Sequence, residues 1–187
     1  DRNAHRATRV GTTMTLIPGA PAPRLSLPLV DGRTTDDLEL GTGADGRFSL
    51  VVFYRGLHCP ACRRQLAELD RRLDDLREAG VGRVVAVSMN DAERAATTVE
   101  TWRIGALPVA HSLSEADARS WGLFISDSIK ESEPARFNEP GAFLLDADGT
   151  VYWSSVASMP FSRPAVDDII SGVRWAQDQN YPARGAA

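Results

Sequence analysis

Continuous apolar runs alternate along the chain with segments that mix apolar and polar residues. FSLVVFY, residues 48–54, and RVVAVS, residues 83–88, are nearly continuous apolar runs rich in β-branched and aromatic residues. Such runs are typical of strands buried on both faces of a sheet. Between them, from Pro60 to about Ala79, leucines recur at steps of three and four among charged residues. This spacing predicts an amphipathic helix.

The remaining pattern adds three helices, a short strand and a hairpin. The helices are predicted at 91–103, 114–122 and 164–179, the short strand at 109–113, and the hairpin strands within 142–155 on either side of the turn at 146–149. Residues 126–139 are predicted to be a long polar loop. The order β-α-β-α-β-α-β-β-α predicts an α/β fold with a central mixed β-sheet and helices on both faces.

Length and composition limit the class of protein. A chain of 187 residues predicts one domain, and we place it at 16–187, with residues 1–15 as an N-terminal extension without fixed structure. The net charge is −4 and no basic block is present, so we expect no nucleic-acid partner. No apolar run approaches the length of a membrane span, so we expect no membrane association. Two cysteines are too few for a disulfide-stapled secreted fold, which favours a cytoplasmic location.

The two cysteines lie together in FYRGLHCPAC, between the predicted strand that ends near Tyr54 and the helix that begins at Pro60. This places Cys59 at the N-cap and Pro60 at the first helical position, where its missing N–H is not needed. Cys62 then lies on the same helix face as Cys59. The two sulfurs can therefore approach disulfide geometry.

The start of a helix also favours a thiolate over a thiol, because unpaired N–H groups and the positive end of the helix dipole lie there. Positive charge nearby would lower a cysteine pKa further, and it comes from Arg55, Arg63 and Arg64, and from His58 if it is protonated. Cys59 is the natural nucleophile and Cys62 the natural resolving thiol.

Three alternatives compete with a redox pair. The cysteines could be structural, although a strand–CxxC–helix arrangement is unusual for buried structural cysteines. They could bind zinc with His58, but structural zinc needs four ligands and no further ligand is near in sequence, so we expect no metal. The pair could also act as a non-enzymatic redox sensor, which oxidises once and does not turn over.

Beyond these patterns, the sequence resembles the thioredoxin superfamily, in particular its peroxiredoxin-like branch, the alkyl hydroperoxide reductase and thiol-specific antioxidant (AhpC/TSA) group. PGAPAPRLSLPLVDG, FYRGLHCPAC and PGAFLLDADGTVYW carry the resemblance, which runs from about residue 16 to 183. It implies a thioredoxin-like fold and a thiol peroxidase, with protein disulfide oxidoreductase as the alternative. It further implies an external thiol reductant such as a thioredoxin-like protein and no bound cofactor, and a homodimer is among the assemblies it allows.

The resemblance assigns the nucleophile in two ways. Peroxiredoxins read Phe-Tyr-Pro-x-x-x-Thr-x-x-Cys, so the residues at 53–54 match, Arg55 replaces the proline, Cys59 replaces the threonine and Cys62 takes the peroxidatic position. Thioredoxins read Trp-Cys-Gly-Pro-Cys, so His58 replaces the tryptophan and Cys59 takes the nucleophile position. We favour Cys59.

Two further elements come from the resemblance. Thioredoxin-like proteins carry a cis-proline that faces the cysteines, and Pro140 matches its place; the alternative is an ordinary trans loop proline. Peroxiredoxins carry an arginine near this place that binds peroxide, so Arg136 or Arg55 would have to serve, unless both are solvated side chains. Glu139 is interpreted as a surface charge.

Overall fold

The computed structural model describes residues 15–43 and 47–187. The helices in these ranges are α1 (Pro60–Arg71), α2 (Leu73–Ala79), α3 (Ala92–Trp102), α4 (Glu115–Ser120) and α5 (Val166–Asp178), with a 3-10 turn at Thr35–Leu38. The strands are β1 (Phe48–Phe53), β2 (Val81–Val87), β3 (Val109–Ala110), β4 (Ile125–Asp127), β5 (Arg136–Asn138), β6 (Gly141–Leu145) and β7 (Val151–Val156). The predicted extension lies almost entirely outside the described residues. No helix in the described part is long and apolar enough to cross a membrane.

Strand β1 is the centre of a five-stranded sheet with the order β3-β2-β1-β6-β7. It pairs in parallel with β2 and antiparallel with β6, and β6 continues antiparallel to β7. The predicted mixed sheet is therefore confirmed. Because β1 is central, its carboxyl end lies between β2 and β6, and the CxxC segment follows from there.

The side chains of β1 alternate between two cores, as the pleat of a strand requires. Phe48, Leu50 and Val52 lie in a core with side chains of α1, α2 and α5, and this core also contains both cysteines. Val51 and Phe53 lie in the opposite core, with α4 and the lead-in segment before the 3-10 turn. Helices thus cover both faces, as predicted, and the redox segment belongs to the face covered by α1.

The helix predicted from Pro60 to Ala79 is two helices. It breaks at Arg72, whose φ of −107° and ψ of 13° lie outside the helical range. The Arg72 guanidinium pairs with Asp75 in α2 and, at 2.8 Å, with Asp167 in α5. The break therefore lets α2 turn to contact α5.

The loop predicted at 126–139 is wrong, because it contains most of a second, two-stranded sheet. Strands β4 and β5 pair antiparallel there. Each is three residues long and carries polar side chains, so neither shows the apolar run or clear alternation by which a strand is recognised in sequence. This small sheet flanks the CxxC segment.

Candidate active site

Cys59 and Pro60 occupy the positions predicted for them. Cys59 is the N-cap of α1 in an extended conformation, and Pro60 is the first helical residue. The backbone N–H of Cys62 donates to the Cys59 sulfur over 3.3 Å. The thiol side chain thus takes the place that a serine or aspartate oxygen usually has at a helix start.

Both cysteines are free thiols and almost fully buried, with 1% and 0% of their surface exposed. The side chain of Arg163, in the segment between β7 and α5, lies across them. Its Nη2 donates to the Cys62 sulfur over 3.1 Å and to the Cys59 sulfur over 3.5 Å. Its Nη1 donates to Oε1 of the Gln65 side chain over 2.8 Å, which fixes the guanidinium over the pair.

These contacts and the burial of the pair shift the pKa values of the two thiols in opposite directions. A hydrogen bond with the Cys62 side chain, the Cys62 N–H and the Arg163 guanidinium outweigh the opposing effect of burial and lower the pKa of Cys59 to about 5. Burial raises the pKa of Cys62 well above its ordinary value. At neutral pH the pair therefore consists of a Cys59 thiolate and a Cys62 thiol that shares its proton with it.

His58 does not supply the positive charge that the sequence suggested. Burial and the Arg55 cation lower the pKa of His58 to about 4, so the ring is neutral at pH 7. The ring packs edge-on against Phe137, with centroids 4.6 Å apart, and neither ring nitrogen has a hydrogen-bond partner in the described part of the chain. The condition under which His58 would add positive charge, its protonation, is therefore not met at pH 7.

Arg55 lies beside the site in a buried ion pair. Its Nε is 3.0 Å from a Glu139 carboxylate oxygen, and its guanidinium lies 4.8 Å from the centre of the Phe137 ring. Burial lowers the pKa of Arg55, but the Glu139 carboxylate and the Cys59 sulfur raise it more. Glu139 is only 3% exposed and accepts from Ser126 over 2.6 Å, so its interpretation as a surface charge is wrong.

Arg136 and Pro140 differ from their predicted roles. Arg136 pairs with Glu115 at 2.5 Å and Asp127 at 3.2 Å, so its charge is taken up by carboxylates rather than by the sulfurs. The described residues contain no cis peptide bond, so the predicted cis-proline at Pro140 is wrong. The Arg55 backbone N–H donates to the Cys62 sulfur over 3.4 Å. The arginine whose guanidinium contacts both sulfurs, Arg163, has no local signal in the sequence. It lies in SMPFSRP, residues 158–164, far along the chain from the cysteines.

One buried amide holds the backbone on which the site stands. The Asn138 side chain donates from Nδ2 to the carbonyl oxygens of Tyr54 and Glu139 over 3.1 and 3.2 Å, and its Oδ1 accepts from the N–H of Met89 over 3.1 Å. It thereby ties the ends of β1, β2 and β5 together. The loop that leads to Cys59 starts from this fixed point.

Residues 15–43 and 47–187 offer no group of ligands for a metal ion. Those residues contain no cluster of three or more histidine, cysteine or acidic side chains that could hold an ion. The site described here consists of two sulfurs, the guanidinium that contacts both, and a second guanidinium held by a buried carboxylate.

A buried thiol pair at the end of a central strand, in a mixed sheet of this order, is an arrangement of the thioredoxin-like thiol enzymes. A sequence model of the AhpC/TSA family matches residues 18–154. The chain belongs to the AhpC/TSA family, and it is an enzyme of the thiol peroxidase and oxidoreductase class. No match was found among curated proteins.

Solved structures of peroxiredoxins share the fold. A peroxiredoxin-like protein from Aquifex aeolicus is 18% identical, with a TM-score of 0.67 over 87% of this chain and 88% of that protein. Prx3 from Vibrio vulnificus, solved in complex with hydrogen peroxide, is 20% identical, with a TM-score of 0.69 over 83% and 97%. Peroxidoxin BcpB from Mycobacterium tuberculosis is 18% identical, with a TM-score of 0.63 over 89% and 98%.

Proposed function

We propose that this protein reduces hydroperoxides with Cys59 as nucleophile and Cys62 as resolving thiol. The observation that supports this assignment is the asymmetry of the pair. The pKa of Cys59 is lowered to about 5 whereas that of Cys62 is raised. Only the thiolate is a strong nucleophile, so Cys59 is ready to attack at neutral pH and Cys62 is not.

In the first step the Cys59 thiolate attacks one oxygen of the peroxide. The S–O bond forms and the O–O bond breaks, so that Cys59 becomes a sulfenic acid and hydroxide or alkoxide leaves with the electron pair. Arg163, which donates to both sulfurs, is placed to donate to the departing oxygen and to stabilise its developing charge. The leaving oxygen then takes a proton from the solvent.

In the second step Cys62 attacks the sulfur of the sulfenic acid. The Cys59–Cys62 disulfide forms, and the Cys62 proton leaves with the hydroxide as water. The short CxxC spacing and the shared helix face make this resolution intramolecular. An external dithiol then reduces the disulfide and restores the thiolate.

Protein disulfide exchange is a second candidate. The observation that favours it is the position of Cys59 at the N-cap with Cys62 one turn inside α1, which matches the thioredoxin order of nucleophile and resolving thiol. In that reaction the thiolate attacks a substrate disulfide, and no sulfenic acid forms.

The deciding experiment is stopped-flow oxidation of the pre-reduced protein by hydrogen peroxide, followed by tryptophan fluorescence and by mass spectrometry of the products. We expect saturable oxidation much faster than that of a free thiol, with one Cys59–Cys62 disulfide as product. In Cys62→Ser we expect a sulfenic acid that persists on Cys59, and in Cys59→Ser we expect no fast phase. Oxidation at the rate of a free thiol contradicts the peroxidase, and a fast phase that survives in Cys59→Ser contradicts the assignment of the nucleophile.

A further inference from the structure

Helix α1 differs from the other helices in the charge at its start. It has no acidic residue in its first turn, although acids there are stabilised by the helix dipole. Each of the other α-helices carries one or two such acids: Asp74 and Asp75 in α2, Glu93 in α3, Glu115 and Asp117 in α4, and Asp167 and Asp168 in α5. In α1 the residues that follow Cys62 are Arg63 and Arg64 instead.

Neither of these arginines is neutralised. Within the described residues, Arg63 and Arg64 form no ion pair, and both are exposed. Glu68 lies four residues after Arg64 but does not pair with it. Arg63 is four residues after Cys59, and its N–H donates to the Cys59 carbonyl, so it lies one helical turn beyond the nucleophile.

The net positive charge around Cys59 increases when its thiolate reacts. In the reduced protein the thiolate offsets the Arg163 cation. A covalent bond to Cys59 removes that negative charge, whereas Arg55 keeps its partner Glu139. Arg163 then lies at a neutral sulfur, and the exposed Arg63 and Arg64 follow on the first turns of the same helix, on a chain whose net charge is −4.

Apolar side chains are exposed on the segment that supplies Arg163. Met159 and Phe161, in the segment that carries Arg163, are 50% and 61% exposed. They precede Arg163 by four and two residues. Arg163 donates to the Gln65 side chain on α1 over 2.8 Å, so this segment lies against the helix that carries Arg63 and Arg64. An exposed aromatic ring and a thioether on the segment, with unpaired arginines on the helix, suit a protein rather than a small thiol.

We propose that Arg63, Arg64, Met159 and Phe161 form a docking surface for a partner protein that exchanges a disulfide with Cys59 and whose contact face is acidic around an apolar centre. This inference rests on the proposed redox role of the pair. Charge complementarity speeds the encounter and selects the partner, while the apolar centre stabilises the complex. The positive charge of this surface distinguishes it from the chain as a whole, which has a net negative charge.

The exchange that this surface supports is the same for any partner disulfide. The Cys59 thiolate attacks one partner sulfur, an S–S bond forms between the proteins, and the other partner sulfur leaves with the electron pair. Cys62 then attacks Cys59, so that the partner thiolate leaves and takes the Cys62 proton. The reverse sequence lets a partner dithiol reduce the Cys59–Cys62 disulfide.

Three peptides test the charge. Each has one cysteine, activated as a 2-pyridyl disulfide beside a leucine, and they differ only in two flanking residues: glutamate, glutamine or lysine. The reduced protein is mixed with each, and release of thiopyridone is followed by stopped flow. At low ionic strength we expect the glutamate peptide to react about ten-fold faster than the lysine peptide. At about 1 M salt, where charges are screened within ~3 Å, we expect the ratio to approach one.

The variants localise the effect. Arg63→Gln with Arg64→Gln is expected to reduce the glutamate-to-lysine ratio to about two or less. The matched control is Arg71→Gln with Arg174→Gln, which removes the same charge from exposed arginines without ion pairs among the described residues; Arg71 lies eight residues beyond Arg63, about 12 Å along α1. The control should keep the ratio. A ratio lost equally in both double variants overturns the proposal, because net charge alone then explains it.

The apolar part is tested with a fourth peptide, in which serine replaces the leucine of the glutamate peptide. We expect the leucine peptide to react several-fold faster with the wild-type protein and the advantage to vanish in Phe161→Ser. Fast reaction without preference for charge or leucine overturns the docking surface but leaves the peroxidase standing, because peroxide oxidation is measured without any peptide. Reaction with the glutamate peptide at the rate of a free thiol also overturns the surface.

Discussion

Arg163 donates to the sulfur of Cys62 over 3.1 Å, although 101 residues separate the two in the chain. The same guanidinium nitrogen reaches Cys59 at 3.5 Å, and Gln65, one turn beyond Cys62 on α1, holds the other end. The pair of thiols is therefore completed by a segment that belongs to neither the central sheet nor the CxxC helix.

Arg163→Gln should raise the pKa of Cys59, because the variant loses a cation beside the thiolate. We expect alkylation of Cys59 by iodoacetamide at pH 6 to slow by about three-fold or more, with little change at pH 9, where the thiolate forms in any case. Arg163→Lys keeps the charge and should lie between the two. The measurement is the alkylation rate of Cys59 across pH, resolved by mass spectrometry, and an unchanged profile in Arg163→Gln contradicts the role of this arginine.

The stability of the reduced protein should depend on pH through both cysteines. The pKa of Cys59 is about 5 when folded and ~8.5 when unfolded, so its thiolate stabilises the fold fully above pH ~8.5 and the effect is lost as the pH falls to 5. The raised pKa of Cys62 acts in the opposite way, since its contribution is lost as the pH rises above ~8.5. We expect the wild-type advantage over Cys59→Ser, measured by urea unfolding, to grow from pH 5 to 8.5. A constant difference over this range would refute the thiolate.

Glu139→Ala should destabilise the protein by about 3 kcal/mol, because it leaves the Arg55 cation buried without its partner. The control is the double variant Arg55→Met with Glu139→Leu, which removes both charges and should recover most of the loss. Both are measured by urea unfolding. Equal losses in the single and double variants would show that packing rather than charge governs this pair.

Asp70→Ala should cost about 1–3 kcal/mol, because one carboxylate accepts the backbone N–H groups of Gly105, Ala106 and Leu107 over 2.9, 2.8 and 2.7 Å. Burial opposes the ionised form, but the three hydrogen bonds outweigh it and lower the pKa of Asp70. This stabilisation is present above pH ~3.9 and is lost at lower pH. Asp74→Ala is the control, since its exposed pair with Arg77 should contribute under ~0.5 kcal/mol.

Oxidation should loosen residues 157–165. A Cys59–Cys62 disulfide removes the thiolate charge and makes both sulfurs that accept from Arg163 weak acceptors, so Gln65 is then its strongest side-chain partner among the described residues. Ser162 also has a φ of +61°, which a side-chain-bearing residue adopts at a cost. We expect amide hydrogen exchange to speed up at 157–165 on oxidation and to stay unchanged in β6. Equal exchange in the two redox states would mean that other contacts hold the segment.

The local features of the site could be predicted from sequence. Cys59 at the N-cap and Pro60 at the first helical position follow from a few consecutive residues, because a strand end, a cap and a helix start are encoded side by side. The central strand β1 follows from its nearly continuous apolar run, and the AhpC/TSA resemblance follows from three short segments, one of which begins where this strand ends.

The features that failed depend on distant contacts. The neutral His58 results from burial and from Arg55, neither of which a spacing shows. Glu139 is buried because Arg55 and Ser126 meet it in space. Arg163 contacts the sulfurs because the segment between β7 and α5 folds back over them, which no local pattern in the sequence indicates.

The AhpC/TSA match ends at residue 154, nine residues before Arg163 in the chain. The thiol pair thus lies inside the shared family core, whereas the cation that contacts both sulfurs is supplied from outside it. The Arg163 contribution to thiol acidity is therefore separable from the scaffold, whereas the contribution of Cys62 and the helix start is part of it. Grafting the stretch from β7 to α5 between family members should change only the part of the Cys59 reactivity that Arg163 supplies, while the inherited sheet stays as it is.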